Sequence, residues 1–268
     1  MKSFIADKNR KLSKLALYHI EDLSYSALMK ALRKKDVKVN GKRISTDVLL
    51  SIGDVVEVFF ADNEQEKIKP VYSDQNVMVV YKKKGYSSES VFEHLKSIDQ
   101  NVRFIHRLDR NTDGIMIFAL TAEAETELLN GFKAHAFDKI YSALVVGRMP
   151  RKEDTLTAYL VKDEKESLVK IFDTPVSGSV KIKTGYKVVE ERGEQSLLHI
   201  KLYTGKTHQI RAHLAHVGHP IVGDGKYGDY EFNQRCNTHT QTLSAISLTL
   251  HFEKQSPLFY LNDKTFSI

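Results

Sequence analysis

The chain has 268 residues and a net charge of +6, with 41% hydrophobic and 28% charged residues, the balance of an ordinary globular protein. Its apolar runs are too short to cross a bilayer, so insertion into a membrane is not expected. A single cysteine, Cys236, can neither close an internal disulfide nor supply the repeated thiolates of a structural zinc site.

The opening segment "MKSFIADKNRKLSKLALYHIEDL" interrupts every apolar stretch with Lys, Arg, Asp or Glu, unlike a secretory signal, and a cytoplasmic location is expected. Ser24 is placed to cap a helix on which Leu28, Ala31 and Leu32 recur at helical spacing. "VKVNGKRI" follows, where Asn40-Gly41 signals a type I′ hairpin, and a turn at Gly53-Asp54 leads into the strand "VVEVFF". Lys30, Arg33, Lys34, Lys35, Lys38, Lys42 and Arg43 gather on one helix end and the adjacent hairpin. There they could track a phosphate backbone, or form no more than a solvated basic face. This order of elements resembles the S4-type RNA-binding module over roughly residues 12 to 60, although "KLSKLAL" lacks the leading Arg-Leu-Asp of that pattern.

"ADNEQEKIKP" reads as a linker, and the texture changes after Pro70. The expected organisation is a module at 1–62, a linker at 63–70 and a larger domain at 71–268. "NVMVVYKKKGYS" and "IMIFAL" are expected as buried-type strands. Thr121 should cap a helix with Glu123 and Glu125 in its first turn and Leu128, Leu129 and Phe132 on its buried face. "IYSALVVG", "KTGYKVVEE" and "SLLHIKLYTG" add strands. Paired strands with occasional helices imply an α+β fold built on a mostly antiparallel mixed sheet, and no internal repeat is present.

Two polar stretches could hold chemistry. "FIHRLDRNTDGIMIFAL" places Asp109, Asn111, Asp113 and Gly114 between apolar runs, with arginines on both sides of Asp109, a pattern that fits a tight turn as well as a reactive carboxylate. "TGKTHQIRAHLAHVGHPIVGDGKYG" carries His208, His213, His216 and His219 beside Arg211. Those histidines lack the convergent spacing of a metal site, and no metal or other cofactor is expected. Gly223, Gly225 and Gly228 follow no buried strand and open no helix, so a tight loop is expected in place of a dinucleotide site.

Taken in order, "HRLDRNTDG", "KIYSALVVG", "GKTHQIRAHLAHVGHPIVGD" and "KYG" resemble the successive motifs of the RluA-type pseudouridine synthases, over roughly residues 71 to 250. The resemblance implies a catalytic domain with a central cleft and an isomerase of uridine in structured RNA, with large-subunit ribosomal RNA favoured over transfer RNA. It implies Asp109 as the catalytic carboxylate and Tyr141 as the residue that stacks on the target base. Ile210 with Arg211 would complete the pocket, and Arg107 would help fill the space left by the flipped nucleotide. His106 stays unassigned. The conversion needs no redox partner or group donor, and a buried carboxylate needs an arginine such as Arg211, which could face it with two N–H groups.

Three departures from the family pattern stand out: Asp113 replaces a serine, Ser244 a frequent histidine, and "EKQSP" the usual His-Pro. Asp113 is expected to point to solvent or cap the turn of residues 111 to 114, because a charge aimed at Asp109 would repel it. Competing readings are an RNA-binding or ribosome-assembly factor on an inactive synthase fold, and glycosidase-like hydrolysis, which needs a second acid for which Asp113 is the candidate in this loop. No coiled coil or apolar stripe calls for a partner subunit, and a monomer is expected.

Overall fold

In the computed structural model, residues 1–20, 23, 25–59, 68–163 and 168–268 are described. The N-terminal residues build β1 (Lys2–Ile5), β2 (Arg10–Lys11), α1 (Leu12–His19), α2 (Tyr25–Arg33), β3 (Val37–Val39), β4 (Lys42–Ile44), β5 (Leu49–Leu50) and β6 (Val55–Val58). Strands β1, β6, β3 and β4 form an antiparallel sheet in that order. One face of the helices closes it: Leu28, Ala31 and Leu32 of α2 pack with Leu12, Leu15 and Ala16 of α1 and Val56 and Val58 of the sheet. Each large side chain so buried contributes about 2 kcal/mol. Asn40 and Gly41 both take positive φ (49° and 78°), as the β3–β4 hairpin requires. The cap expected at Ser24 lies outside the described residues, as does most of the expected linker.

The second sheet begins at Ile68, three residues before the expected start of the domain. Its strands are β7 (Ile68–Ser73), β8 (Val77–Lys82), β9 (Arg103–Phe104), β10 (Asp113–Ala119), β11 (Asp138–Val146), β12 (Glu153–Asp163), β13 (Leu168–Phe172), β14 (Val180–Arg192), β15 (Gln195–Leu202), β16 (Leu243–Thr249) and β17 (Thr265–Ser267). The main path runs β13-β12-β14-β15-β11-β16-β10-β8-β7. Pro70 enters β7 because this strand lies at the sheet edge and shifts register beside that proline, where a missing N–H costs no ladder bond. Among the described pairings, β10 with β16 is parallel and the rest are antiparallel, giving the mixed sheet the sequence implied.

Strand β10 is buried on both faces, which is why "IMIFAL" reads as an unbroken apolar run. Ile115, Ile117 and Ala119 join one core with Leu128 and Phe137, while Met116 and Phe118 face the opposite way into a second core with Val91 and Leu95. Helices α3 (Ser88–Ile98), α4 (Ala122–Lys133) and α5 (Gln209–His216) pack against the sheet, and the short α6 (Tyr230–Arg235) follows α5 in the chain. Thr121 caps α4 by accepting from the Ala124 N–H at 3.2 Å. Of the face expected to be buried, Leu128 is, but Leu129 is exposed. No helix among the described residues is long and apolar enough to cross a membrane.

A carboxylate cleft between strand, loop and helix

Asp109 stands in a turn held from behind by buried groups. The Thr112 N–H bonds the Asp109 carbonyl at 3.0 Å, closing a turn over residues 109 to 112, while Asp113 and Gly114 already belong to β10. Ser88 fixes the preceding residue twice, donating to the Leu108 carbonyl at 2.9 Å and accepting its N–H at 2.8 Å. The Lys82 ammonium is buried behind the turn and donates to the carbonyls of Tyr86 (2.9 Å), Arg110 (3.2 Å) and Lys83 (3.3 Å), and burial pushes it down to about 7. Buried Gln241 donates to Thr112 Oγ1 at 2.7 Å.

The cleft measures about 510 Å³ and is lined by Arg107, Asp109, Phe132, Lys139, Tyr141, His208, Ile210 and Arg211 among others. All five residues expected at the site converge there, from the loop before β10, from β11 and from the first turn of α5. Among the described lining residues Asp109 is the one carboxylate, in a wall otherwise apolar, basic or neutral polar.

Arg211 is 7% exposed, and its fork is placed differently from expectation. Nε and Nη2 donate to Asp224 Oδ2 and Oδ1 at 2.7 and 2.9 Å, and Nη1 donates to Asp109 Oδ2 at 2.8 Å. The two-point contact therefore belongs to Asp224, and Asp109 receives one N–H. Burial alone would raise the Asp224 carboxyl. The Arg211 guanidinium and the N–H groups of Lys226 and Tyr227 outweigh it and hold the group below the usual carboxylate range. Burial likewise opposes the charge on Arg211, and the two carboxylates more than restore it.

Tyr141 sits on β11 opposite Ile200 on one side and Ala245 on the other. Burial, followed by the charge of Asp109, pushes its hydroxyl well above the usual tyrosine value, so it stays protonated. Ile210 is buried and forms apolar wall. Arg107 is exposed at the rim and lies 3.4 Å from Glu89. His106 accepts the Ile117 N–H at 3.1 Å and stacks on Phe132 with centroids 4.5 Å apart; burial pushes it down to about 3, so it is a neutral structural side chain.

Asp113 corrects an expectation. It neither faces solvent nor caps the turn: it accepts from the Tyr81 hydroxyl at 2.6 Å and from Ser244 Oγ at 2.5 Å, with Lys84 Nζ at 3.6 Å. As the first residue of β10 it stands opposite Ser244 in the parallel register with β16, which turns its side chain away from the cleft. Gly114 beside it takes φ 130°, and a Cβ there would come within 2.2 Å of the Ala245 carbonyl, so this close strand approach requires glycine.

The histidines disperse: His213 pairs with Thr184 (3.0 Å), His216 with Asp173 (2.8 Å) and His219 with the Val146 carbonyl (3.0 Å). Among the described residues no group of three or more His, Cys, Asp or Glu is placed to hold a metal. The basic set at the N-terminal sheet stands apart from the cleft lining. Lys30, Arg33, Lys34, Lys35 and Lys42 are exposed; exposed Arg43 donates to the Lys35 carbonyl at 3.1 Å, and Lys38 lies over the Phe59 ring. Asp224 and Tyr227 were missed from sequence, although a buried arginine requires a carboxylate and the "GDGKYG" loop offered one.

A family model described as RNA pseudouridylate synthase matches residues 76–216. Ribosomal large subunit pseudouridine synthase C of Salmonella typhimurium is 33% identical over 235 residues, covering 78% of this chain and 73% of the relative. The protein of the same name from Vibrio parahaemolyticus is 28% identical over 258 residues, covering 87% and 79%. The solved structure of human RNA pseudouridylate synthase domain containing 1 is similar with a TM-score of 0.60 at 26% identity, over 68% of this chain and 78% of that one. With more than half of its length matched by the family model and 33% identity to such a relative over 235 aligned residues, the chain belongs to the RNA pseudouridylate synthase family.

Proposed function

We propose that this pseudouridine synthase isomerises uridine in structured large-subunit ribosomal RNA, with Asp109 as the reacting carboxylate. The observation that carries the assignment is the pairing of Asp109, the one carboxylate among the described cleft-lining residues, with a buried arginine that a second carboxylate anchors. The RNA class is supported by the relatives, which are named for the large ribosomal subunit.

The reaction breaks the bond from uracil N1 to C1′, turns the ring and joins C5 to C1′; the hydrogen on C5 leaves and N1 gains one, so nothing is oxidised or reduced. A charged Asp109 can attack C1′ or take a proton from C2′. Arg211 fixes one carboxylate oxygen, leaving Oδ1 to act. Removing the uridine from its stack costs a few kcal/mol, which stacking on Tyr141 and apolar contact with Ile210 offset. Arg107 at the rim enters the vacated stack. The cations from Lys30 to Arg43 belong, in this reading, to an S4-like module over residues 1–62 that holds the RNA by its phosphates.

Asp113 faces Tyr81 and Ser244, and Asp224 is bound at both oxygens by Arg211. Neither carboxylate is available as the second acid of a glycosidase, which favours isomerisation over hydrolysis. Mapping pseudouridines in ribosomal and transfer RNA from cells with and without the gene tests the function. A site in large-subunit RNA that disappears with the gene and returns on complementation is expected; loss confined to transfer RNA would overturn the RNA class, and no loss at all would overturn the function.

A further inference from the structure

The "TH" of "GKTHQIR" and the Tyr of "KYG" enter no step above, yet the fold brings them together beside Asp109. Two side chains approach the Asp109 carboxylate within 4.0 Å as charge partners among the described residues: Arg211, and His208 with Nε2 at 3.8 Å from Oδ2. His208 precedes α5 with φ 55°, a left-handed conformation that is uncommon for a residue with a side chain and costs energy to hold. The loop that imposes it is fixed by buried Gln209. Its Oε1 accepts from Thr204 Oγ1 (2.8 Å) and the Lys206 N–H (3.2 Å), and its Nε2 donates to Thr184 Oγ1 (3.0 Å) and the Lys183 carbonyl (3.2 Å).

The other ring nitrogen is held by Tyr227. The Tyr227 oxygen accepts the Val169 N–H at 2.9 Å and lies 2.9 Å from His208 Nδ1. With that N–H accepted, the single hydroxyl hydrogen is free to go to Nδ1, and the ring proton then resides on Nε2, facing Asp109. The opposite tautomer would aim a lone pair at a carboxylate. Burial lowers the proton affinity of His208 more than the charge of Asp109 restores it, so the ring is neutral with one N–H to give. Tyr227 is itself fixed, its ring lying 5.3 Å from the Arg211 guanidinium carbon. Arg211, Tyr227 and His208 thus form a rigid wall on one side of the reacting carboxylate.

When the bond from N1 to C1′ breaks, its electron pair stays on the uracil, whose negative charge spreads to its carbonyl oxygens. Arg211 is committed to two carboxylates and Arg107 is drawn to Glu89, so neither fork is aimed at that charge. We propose that His208 is a second catalytic residue, its neutral ring keeping its proton and donating a hydrogen bond from Nε2–H to the charge on the departing uracil while the base turns, with Tyr227 as the residue that positions it. This inference rests on the pseudouridine synthase reading. A fixed donor aimed at developing charge raises the rate of the chemical step without tightening ground-state binding.

The test compares H208A, H208Q and Y227F with wild type in single-turnover pseudouridine formation at saturating RNA, together with RNA binding by filter retention. The expected result is a rate loss of about 100-fold in H208A with RNA affinity changed less than twofold. H208Q restores at least tenfold of it, because its amide carries an N–H where Nε2 does. Y227F falls between the two, and ¹⁵N chemical shifts of the free wild-type protein report His208 protonated on Nε2. A rate within threefold of wild type in H208A overturns the inference and leaves the function standing, as does H208Q no faster than H208A, or a ring protonated on Nδ1. Wild-type protein that forms no pseudouridine overturns the function itself, and the inference with it.

Discussion

Asp113 and Ser244 face each other across the parallel junction of β10 and β16, with Ser244 Oγ donating to Asp113 Oδ1 at 2.5 Å. Both are positions where the sequence departs from the motifs it resembles, and they bond to one another. A hydrogen bond to a charged acceptor contributes about 1.5 to 3 kcal/mol. In a double-mutant cycle of D113A and S244A, urea unfolding should give a coupling of at least about 1 kcal/mol. Losses that add within about 0.3 kcal/mol would show the pair to be independent.

Asp224 anchors Arg211 at two points and is 2% exposed. D224A leaves a buried guanidinium with Asp109 as its one carboxylate partner. The expected stability loss is about 3 to 5 kcal/mol, seen as a fall in the urea midpoint. R211K keeps a charge but cannot span both carboxylates, so it should fold and lose most of its single-turnover rate. A fully active R211K would show that the fork geometry is dispensable.

If the basic N-terminal face grips phosphates, its removal weakens binding uniformly and flattens the salt dependence. The K34A/K35A/K42A variant should reduce the slope of log affinity against log salt by roughly 2 to 3, with the rate at saturating RNA unchanged. An unaltered slope would leave these lysines as a solvated face.

His106 makes stability depend on pH. Its proton affinity is normal in the unfolded chain, near 6.5, and lowered by burial to about 3 in the fold. Between those values the unfolded chain binds more protons, so this contribution is complete above about 6.5 and is lost as the pH falls. Between pH 7.5 and pH 5 wild type should lose about 2 kcal/mol more than H106N in urea unfolding. Equal losses would contradict a ring held neutral in the fold.

Local pattern made much of this molecule legible. The hairpin at Asn40-Gly41, the cap at Thr121 and the double-sided burial of "IMIFAL" are properties of neighbouring residues, and they fold as their chemistry requires. Strands β12 and β13 went unread because "EDTLTAYLVKD" mixes small polar with apolar residues and takes its register from β14. At the site, the motif order brought Asp109, Tyr141, Ile210 and Arg211 together, but orientation was hidden. Which carboxylate takes the arginine fork depends on a loop 13 residues beyond it, and the direction of Asp113 depends on a strand 131 residues away. Those contacts are set by sheet order, which no short stretch encodes.

If the Asp109 carboxylate performs the isomerisation, its loss stops the release of the uridine C5 hydrogen. Tritium release from large-subunit ribosomal RNA labelled at uridine C5 measures it directly, with wild type and D109N compared at equal RNA occupancy. Wild type should release tritium, and D109N should release none above background while binding the RNA with similar affinity. Release by D109N at the wild-type rate would contradict the account.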